Sequence, residues 1–119
     1  MADSKINNMT IGKSKPSQKE MAKTYFKIIA LLKDISLAPM DINLLAHTAL
    51  NGTITSPPVR ASFIEEYDSS NASINNYVST LQKKGLLVKD EQLKIRINPK
   101  IMKTFDKDEY NLTLKFKIV

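Results

Sequence analysis

Residues 69–99 constrain the fold of this chain more than any other stretch, SSNASINNYVSTLQKKGLLVKDEQLKIRINP. Apolar side chains recur there at the i, i+3, i+4 and i+7 spacing of a helix that buries one face. This spacing predicts a helix over 71–84, with Ser70 as its N-cap and Gly85 ending it. The residues that we expect to face the core are Ile74, Tyr77, Val78 and Leu81.

A strand, a turn and a second strand are predicted directly after this helix. The apolar residues 86–88 begin the first strand, and the polar residues 90–92 form the turn. In the returning strand, apolar and basic residues alternate in the order Leu93, Lys94, Ile95, Arg96 and Ile97. The segment therefore predicts a helix followed by a small β-hairpin.

Three further helices are expected upstream. Ser17 and Glu20 have the spacing of a capping box, which predicts a helix over 18–34. A second helix begins near Pro39 and ends at Gly52, and a third covers 59–67. Between the last two, 53–56 is either a short strand or an extended loop. The apolar stripe of the first helix is Met21, Tyr25, Ile28, Ile29 and Leu32, and that of the third is Val59, Phe63, Ile64 and Tyr67.

The two ends of the chain differ in pattern. Residues 1–16 are polar and read as a flexible arm, which leaves 17–119 as a single domain with its core in 39–100. After Pro99, a helical turn would let Ile101, Met102 and Phe105 dock on the core. In 111–118 apolar residues alternate with polar ones, which predicts a half-buried C-terminal strand that needs a partner edge.

Composition excludes several classes of protein. A chain of 119 residues without cysteine cannot use disulfides or thiolate metal sites. No apolar run has the length of a membrane span, and the first 18 residues lack the apolar segment of a secretion signal. We therefore expect a cytoplasmic protein, or a virion-associated one if the chain is phage-encoded.

The charge of this chain suits a polyanionic partner. The net charge is +6, and 16 of the 18 basic residues are lysines. Residues 1–34 carry seven bases and three acids, residues 35–70 one base and four acids, and residues 71–119 ten bases and five acids. The predicted helix over 71–84 thus belongs to a basic half of the chain, next to an acidic middle, and this distribution is compatible with DNA binding.

The stretch LQKKGLLVKDEQLKIRINPKI resembles the recognition helix and wing of winged helix-turn-helix proteins. Similar segments occur in MarR-type transcription regulators and in replication initiators of small plasmids, and the resemblance covers about residues 39–100. It implies a mainly α fold with a small β wing, extended here by an N-terminal helix and a C-terminal strand. By this resemblance the third helix supports the fourth, and the fourth reads double-stranded DNA in the major groove.

The resemblance also implies a set of contact residues. Small polar side chains on the outer face of the fourth helix suit base edges, where asparagine can bond adenine and serine or threonine can bond several bases. Lysine and arginine near the helix end and in the wing would hold phosphates, and Ser69 would also lie near a phosphate, at the helix start. The implied DNA-binding set is Ser70, Ser73, Asn75, Asn76, Ser79, Thr80, Lys83, Lys84, Lys94 and Arg96.

Two features favour an alternative. The fourth helix has no arginine, the residue that most often bonds guanine, and the predicted wing tip carries Asp90 and Glu91, which phosphate repels. The alternative is a non-enzymatic interaction or assembly component, for example a phage-encoded structural protein, that docks on protein through the winged helix and the C-terminal strand. Homodimerisation through helix 17–34 and that strand is compatible with both hypotheses.

Catalysis and cofactors find no support in the sequence. His47 is the only histidine, and it stands among leucines without a second ligand at metal-binding spacing. Gly12-Lys13-Ser14 resembles the end of a phosphate-binding loop, but Asn7 occupies the position of the required first glycine. We therefore expect neither an enzyme nor a bound cofactor or metal.

Overall fold

The computed structural model describes residues 17–101. Within this range four helices precede a two-stranded antiparallel hairpin, so the expected mainly helical fold with a small β element is confirmed. The expected arm 1–16, the docking of Met102 and Phe105, and the strand 111–118 lie outside the described residues. The elements are α1 (Gln18–Lys33), α2 (Pro39–Asn51), α3 (Pro57–Tyr67), α4 (Asn71–Lys83), β1 (Leu87–Lys89) and β2 (Ile95–Ile97).

Helix α1 begins as the sequence predicts but is rotated from the expected stripe. The Ser17 hydroxyl accepts a hydrogen bond from the Glu20 backbone N–H at 3.1 Å. The fully buried residues are Ala22, Phe26 and Ala30, whereas Leu32, which we expected to be buried, is 48% exposed. The sequence argument favoured large side chains. The structure instead uses alanine to bring α1 close to α2, where Ala22 packs on Ala46.

Helix α2 forms the centre of the core, and its ends follow the sequence. Pro39 occupies the first turn, and the Asp41 carboxylate accepts a hydrogen bond from the Ala38 N–H at 3.0 Å. At the other end Gly52 adopts φ of +86°, which glycine tolerates at little cost, and its N–H bonds the carbonyl of Thr48. Leu44 and Leu45 are completely buried, as expected for a helix with core on several sides.

Helices α3 and α4 pack against each other across a short turn. Phe63 is completely buried, and Val59, Ile64 and Tyr67 pack around it as the sequence predicts. Asp68 ends α3 in the left-handed conformation, and Ser70 caps α4. The predicted inner face of α4 is confirmed, because Ile74 and Leu81 are completely buried, Val78 is 4% exposed and Tyr77 packs against the same cluster.

The hairpin pairs Leu87 with Ile97 and Lys89 with Ile95. Its turn differs from the prediction at one residue. We expected Leu93 in the returning strand on the apolar face, but it lies in the turn with φ of +65° and is 70% exposed. The reason is that the Asp90 carboxylate accepts hydrogen bonds from the N–H groups of Gln92 and Lys94, which fixes a turn that includes Leu93.

The segment between α2 and α3 runs beside β2 without forming a regular strand. The Ile54 N–H bonds the carbonyl of Ile95 at 3.1 Å, and the Thr53 hydroxyl donates to the same oxygen at 2.9 Å. In return the Ile95 N–H donates to the Thr55 hydroxyl at 2.8 Å. The alternatives of strand and extended loop thus resolve to a loop, bent at Ile54, that covers one edge of the hairpin.

One core unites these elements. Phe26, Leu45, Phe63, Leu81 and Ile97 belong to a single buried cluster, so every helix and the hairpin contribute to it. Ile101 is also buried there, and its carbonyl accepts a hydrogen bond from the Tyr25 hydroxyl. Across residues 17–101, no helix combines the length and the apolar character that crossing a bilayer requires.

Candidate nucleic-acid interface

The outward face of α4 presents small polar side chains to solvent. Asn75, Asn76, Ser79, Thr80 and Lys83 are all exposed, on the side opposite the buried Ile74, Val78 and Leu81. Since the inner side chains are large and fully packed, they hold the helix at a fixed angle and depth. The structure therefore brings together most of the base-reading residues that the sequence suggested, on one rigid element.

The first turn of α4 is organised by two serines. The Ser70 hydroxyl accepts a hydrogen bond from the Ser73 N–H at 3.1 Å and donates one to the Ser73 hydroxyl, also at 3.1 Å. Both side chains therefore serve the cap, which leaves them less available to an external ligand than the sequence implied. The Ser69 hydroxyl, which we expected near a phosphate, is buried and has no hydrogen-bond partner among the described residues.

Arg60, on α3, reaches this same end of α4, and the sequence analysis did not include it in the site. Its Nε donates to the carbonyl of Ile54 at 2.9 Å. Its Nη1 donates to Oδ1 of Asn75 at 2.8 Å and to Oδ1 of Asn71 at 3.3 Å. Arginine is thus present beside the fourth helix, although none lies in it. Pattern reasoning on α4 alone missed it because the contact joins residues 15 positions apart.

The two lysines at the end of α4 have different environments. Lys83 is exposed, and no described residue bonds its ammonium group. Lys84 instead donates from Nζ to the carbonyl of Ser36 at 2.6 Å, which ties the end of α4 to the loop between α1 and α2. Of these two candidate phosphate contacts, only Lys83 has an ammonium group that no residue of 17–101 bonds.

The basic residues of the hairpin are also divided. Arg96 is paired with the Asp90 carboxylate through its Nε, whereas Lys94 is exposed. The N–H of Lys94 and the guanidinium of Arg96 hold the pKa of Asp90 below its ordinary value. Asp90 therefore stays ionised and is a structural residue of the turn. The acidic character of the hairpin tip rests mainly on Glu91, for which no ion pair exists among the described residues.

His47 has a structural role. Its Nε2 lies 3.0 Å from the carbonyl of Val59 and 3.0 Å from the hydroxyl of Ser62, and its ring packs edge-on against Phe63. The histidine thereby joins α2 to α3. Within residues 17–101 no three acidic or histidine side chains cluster as a metal site would need.

Comparison of the chain with protein-family models, with curated proteins and with solved structures gives no match. The arrangement of side chains on α4, α3 and the hairpin is thus the basis for a functional assignment.

Proposed function

We propose that this chain is a small winged-helix DNA-binding protein, a transcription regulator or a replication-associated protein, that reads double-stranded DNA with α4. The observation that carries the proposal is the outward face of α4. It is exposed, lacks acidic and large apolar side chains, and is held rigidly by the buried face beneath it. An α-helix fits the major groove of DNA, and small polar side chains can then approach base edges.

The order and contacts of the elements support the same proposal. Helices α3 and α4 are joined by a short turn and followed at once by a hairpin, as in the helix-turn-helix and wing. The loop 53–55 bonds β2 and so covers the hairpin on the side of Ile95. In this proposal α3 supports α4, and the hairpin is the wing.

The exposed residues of the interface have two kinds of role in the proposal. Asn76, Ser79 and Thr80 contact base edges, and Lys83 and Lys94 contact phosphates. Lys84 and Arg96 already bond groups of the same chain, so they contribute less to binding than Lys83 and Lys94.

The test is fluorescence anisotropy of a labelled duplex over a range of salt concentrations. Phosphate contacts release counterions, so log K falls linearly with log salt, with a slope of about −0.9 per contact. Lys83→Gln and Lys94→Gln should each weaken binding to every sequence and reduce the slope by about 1. Lys27→Gln, which removes one exposed charge from α1, is the matched control. Absence of binding at low salt contradicts the proposal.

A second candidate function is docking on another protein, and Leu93 favours it. This side chain is 70% exposed at the hairpin tip, near Glu91. A wing that binds phosphate would carry basic residues at that place. Under this alternative, Leu93→Ser weakens binding of a protein partner and leaves DNA affinity unchanged. A folded chain shortened by residues 111–119 should then lose the partner as well. Under the leading proposal Leu93→Ser retains DNA binding.

Homodimerisation belongs to the proposal because DNA readers of this type commonly bind two half-sites as a pair. Two adjacent leucines near the end of α1 support it, since Leu31 is 79% exposed and Leu32 is 48% exposed. Analytical ultracentrifugation of the parent and of Leu31→Ser measures it. A parent dimer that becomes a monomer in the variant is the expected result, whereas a monomeric parent contradicts this part of the proposal.

A further inference from the structure

The hydrogen bonds of Arg60 fix the direction in which Asn75 can bond a base. A guanidinium group has five N–H donors and no acceptor. The amide atom of Asn75 that faces Arg60 must therefore be the oxygen, at 2.8 Å from Nη1. The amide nitrogen of Asn75, which carries two donors, is consequently turned away from Arg60. Since Asn75 is exposed on α4, these donors are available to a ligand.

Arg60 itself retains donors on the same side of the molecule. Three of its five N–H groups bond Ile54, Asn71 and Asn75. The two N–H groups of Nη2 have no partner among the described residues. The side chain is held at Nε and at Nη1, so it is oriented before any ligand arrives. Arg60 and Asn75 thus form a preorganised pair that directs several hydrogen-bond donors toward a ligand and carries a positive charge.

We propose, on the basis of the proposed DNA-binding function, that Arg60 and Asn75 together select guanine at one position of the DNA site. In the major groove guanine presents two acceptors, O6 and N7, whereas cytosine presents an amino donor. Adenine presents one acceptor and one amino donor, and reading it by asparagine requires the amide oxygen. In Asn75 that oxygen already accepts a hydrogen bond from a cation. The structure therefore assigns this position to guanine rather than to the adenine that asparagine alone would favour.

The experiment selects duplexes from a randomised library with the parent protein at one salt concentration. Anisotropy then compares the selected duplex with the three others that differ from it only at the base pair whose preference changes in Asn75→Ala. The expected parent preference for guanine is roughly tenfold or more. Arg60→Gln and Asn75→Ala should each reduce the preference to about twofold or less at that position alone. Arg60→Lys should do the same, because it keeps the charge but loses the planar fork.

Controls separate recognition from folding. Lys27→Gln changes an exposed residue of α1, outside the proposed interface, and should leave the guanine preference intact. Thermal unfolding by circular dichroism checks that each variant is folded. This check matters for Arg60 variants, which also lose the bond to Ile54, and Asn75→Ala keeps that bond and tests the pair independently.

Three results would overturn the inference. The first is a parent that prefers adenine, or no base, at the position that Asn75→Ala affects. The second is an Arg60→Gln variant that binds all duplexes more weakly with its guanine preference unchanged, which means that Arg60 contacts phosphate. The third is a parent that binds no duplex even at low salt. In that case the proposed function fails as well, whereas the first two results leave it standing.

Discussion

Helices α1 and α4 are amphipathic to a similar degree but divide their residues in opposite ways. Helix α4 buries the large side chains Ile74 and Leu81 and exposes small polar ones. Helix α1 buries two alanines around Phe26 and exposes lysines together with Leu31 and Leu32. Large inner side chains hold α4 further from the rest of the core, and its outward face has no large apolar side chain. Small inner side chains let α1 approach α2 closely, and apolar groups remain outside.

This difference shows what each outward face can bind. A face of asparagine, serine and threonine offers directed hydrogen bonds and no apolar surface, which suits the polar edges of bases. A face with exposed leucines gains free energy by contact with another apolar surface. The difference is therefore consistent with the proposed binding of DNA by α4 and with the proposed dimer contact of α1.

The largest expected effect concerns the inner face of α4. Leu81→Ala removes a completely buried side chain from the single core and leaves a cavity. It should lower the free energy of unfolding by about 2–5 kcal/mol. Urea unfolding followed by circular dichroism measures this loss. A loss well below that range would mean that α4 is not held as rigidly as a reading helix requires.

The inner face of α1 should be destabilised by a larger side chain, whereas that of α4 is destabilised by a smaller one. Ala22 is completely buried against Ala46, so Ala22→Leu adds volume where the helices touch. Overpacking of this kind should destabilise the fold by about 1–3 kcal/mol. The matched control is Thr24→Leu, which adds a leucine at an exposed position of the same helix. If both variants unfold at the same urea concentration, the close contact between α1 and α2 does not exist.

A pair of substitutions distinguishes the proposed functions of the outward faces of α4 and α1. Asn76→Ala should change the relative affinities for different DNA sequences by about 1–3 kcal/mol and leave the oligomeric state unchanged. Leu31→Ser should change the oligomeric state and leave the sequence preference unchanged. Surface substitutions of this kind shift the free energy of unfolding by only about 0.5 kcal/mol or less. Selection from a duplex library and analytical ultracentrifugation, applied to both variants, measure the two readouts. If either substitution changed both the sequence preference and the oligomeric state, the outward faces of α1 and α4 would not have separate functions.

The sequence predicted what local patterns determine. The four helices, their caps at Ser17, Gly52 and Ser70, and the inner face of α4 follow from spacing and capping chemistry, and the structure confirms them. The prediction was wrong in part for α1, because Tyr25 and Ile29 pack against the core but Leu32 is exposed. The position of the buried stripe there depends on how closely α2 approaches. The prediction also failed for Leu93, because hydrogen bonds from Asp90 outweigh the alternation of residues in a strand.

The candidate site also has features that the sequence predicts and features that it does not. The polar face of α4 is readable from helical periodicity alone. The involvement of Arg60, Lys84 and Arg96 in bonds within the chain cannot be read from the sequence, because each bond depends on the tertiary fold or on a specific turn. A sequence pattern can therefore propose a recognition helix, but it cannot tell which of the basic residues are free to bind a ligand.

The smallest expected effect concerns the ion pair that fastens α1 to α3. Lys19 bonds Glu66, which lowers the pKa of Glu66 and raises that of Lys19. A lowered carboxyl pKa stabilises the fold above the unfolded value, about 4.3, and this contribution disappears as the pH falls through the folded pKa. The raised pKa of Lys19 stabilises the fold at every pH below the ordinary value of 10.5. This contribution is lost only in strong alkali, as the pH rises through the folded pKa. The pair should therefore stabilise the fold throughout the neutral range.

Because both side chains are more than a third exposed, Glu66→Gln should cost only about 0.2–1 kcal/mol near neutral pH. Urea unfolding at pH 7 and at pH 3, beside the neighbouring control Glu65→Gln, measures the difference. We expect the gap between variant and parent to shrink at pH 3 and in high salt, since acid protonates Glu66 and salt screens the pair. A gap of equal size under all conditions would show that Glu66 stabilises the fold by packing. In that case α1 would be held to α3 by packing rather than by this ion pair, and the contrast between α1 and the polar outward face of α4 would be sharper.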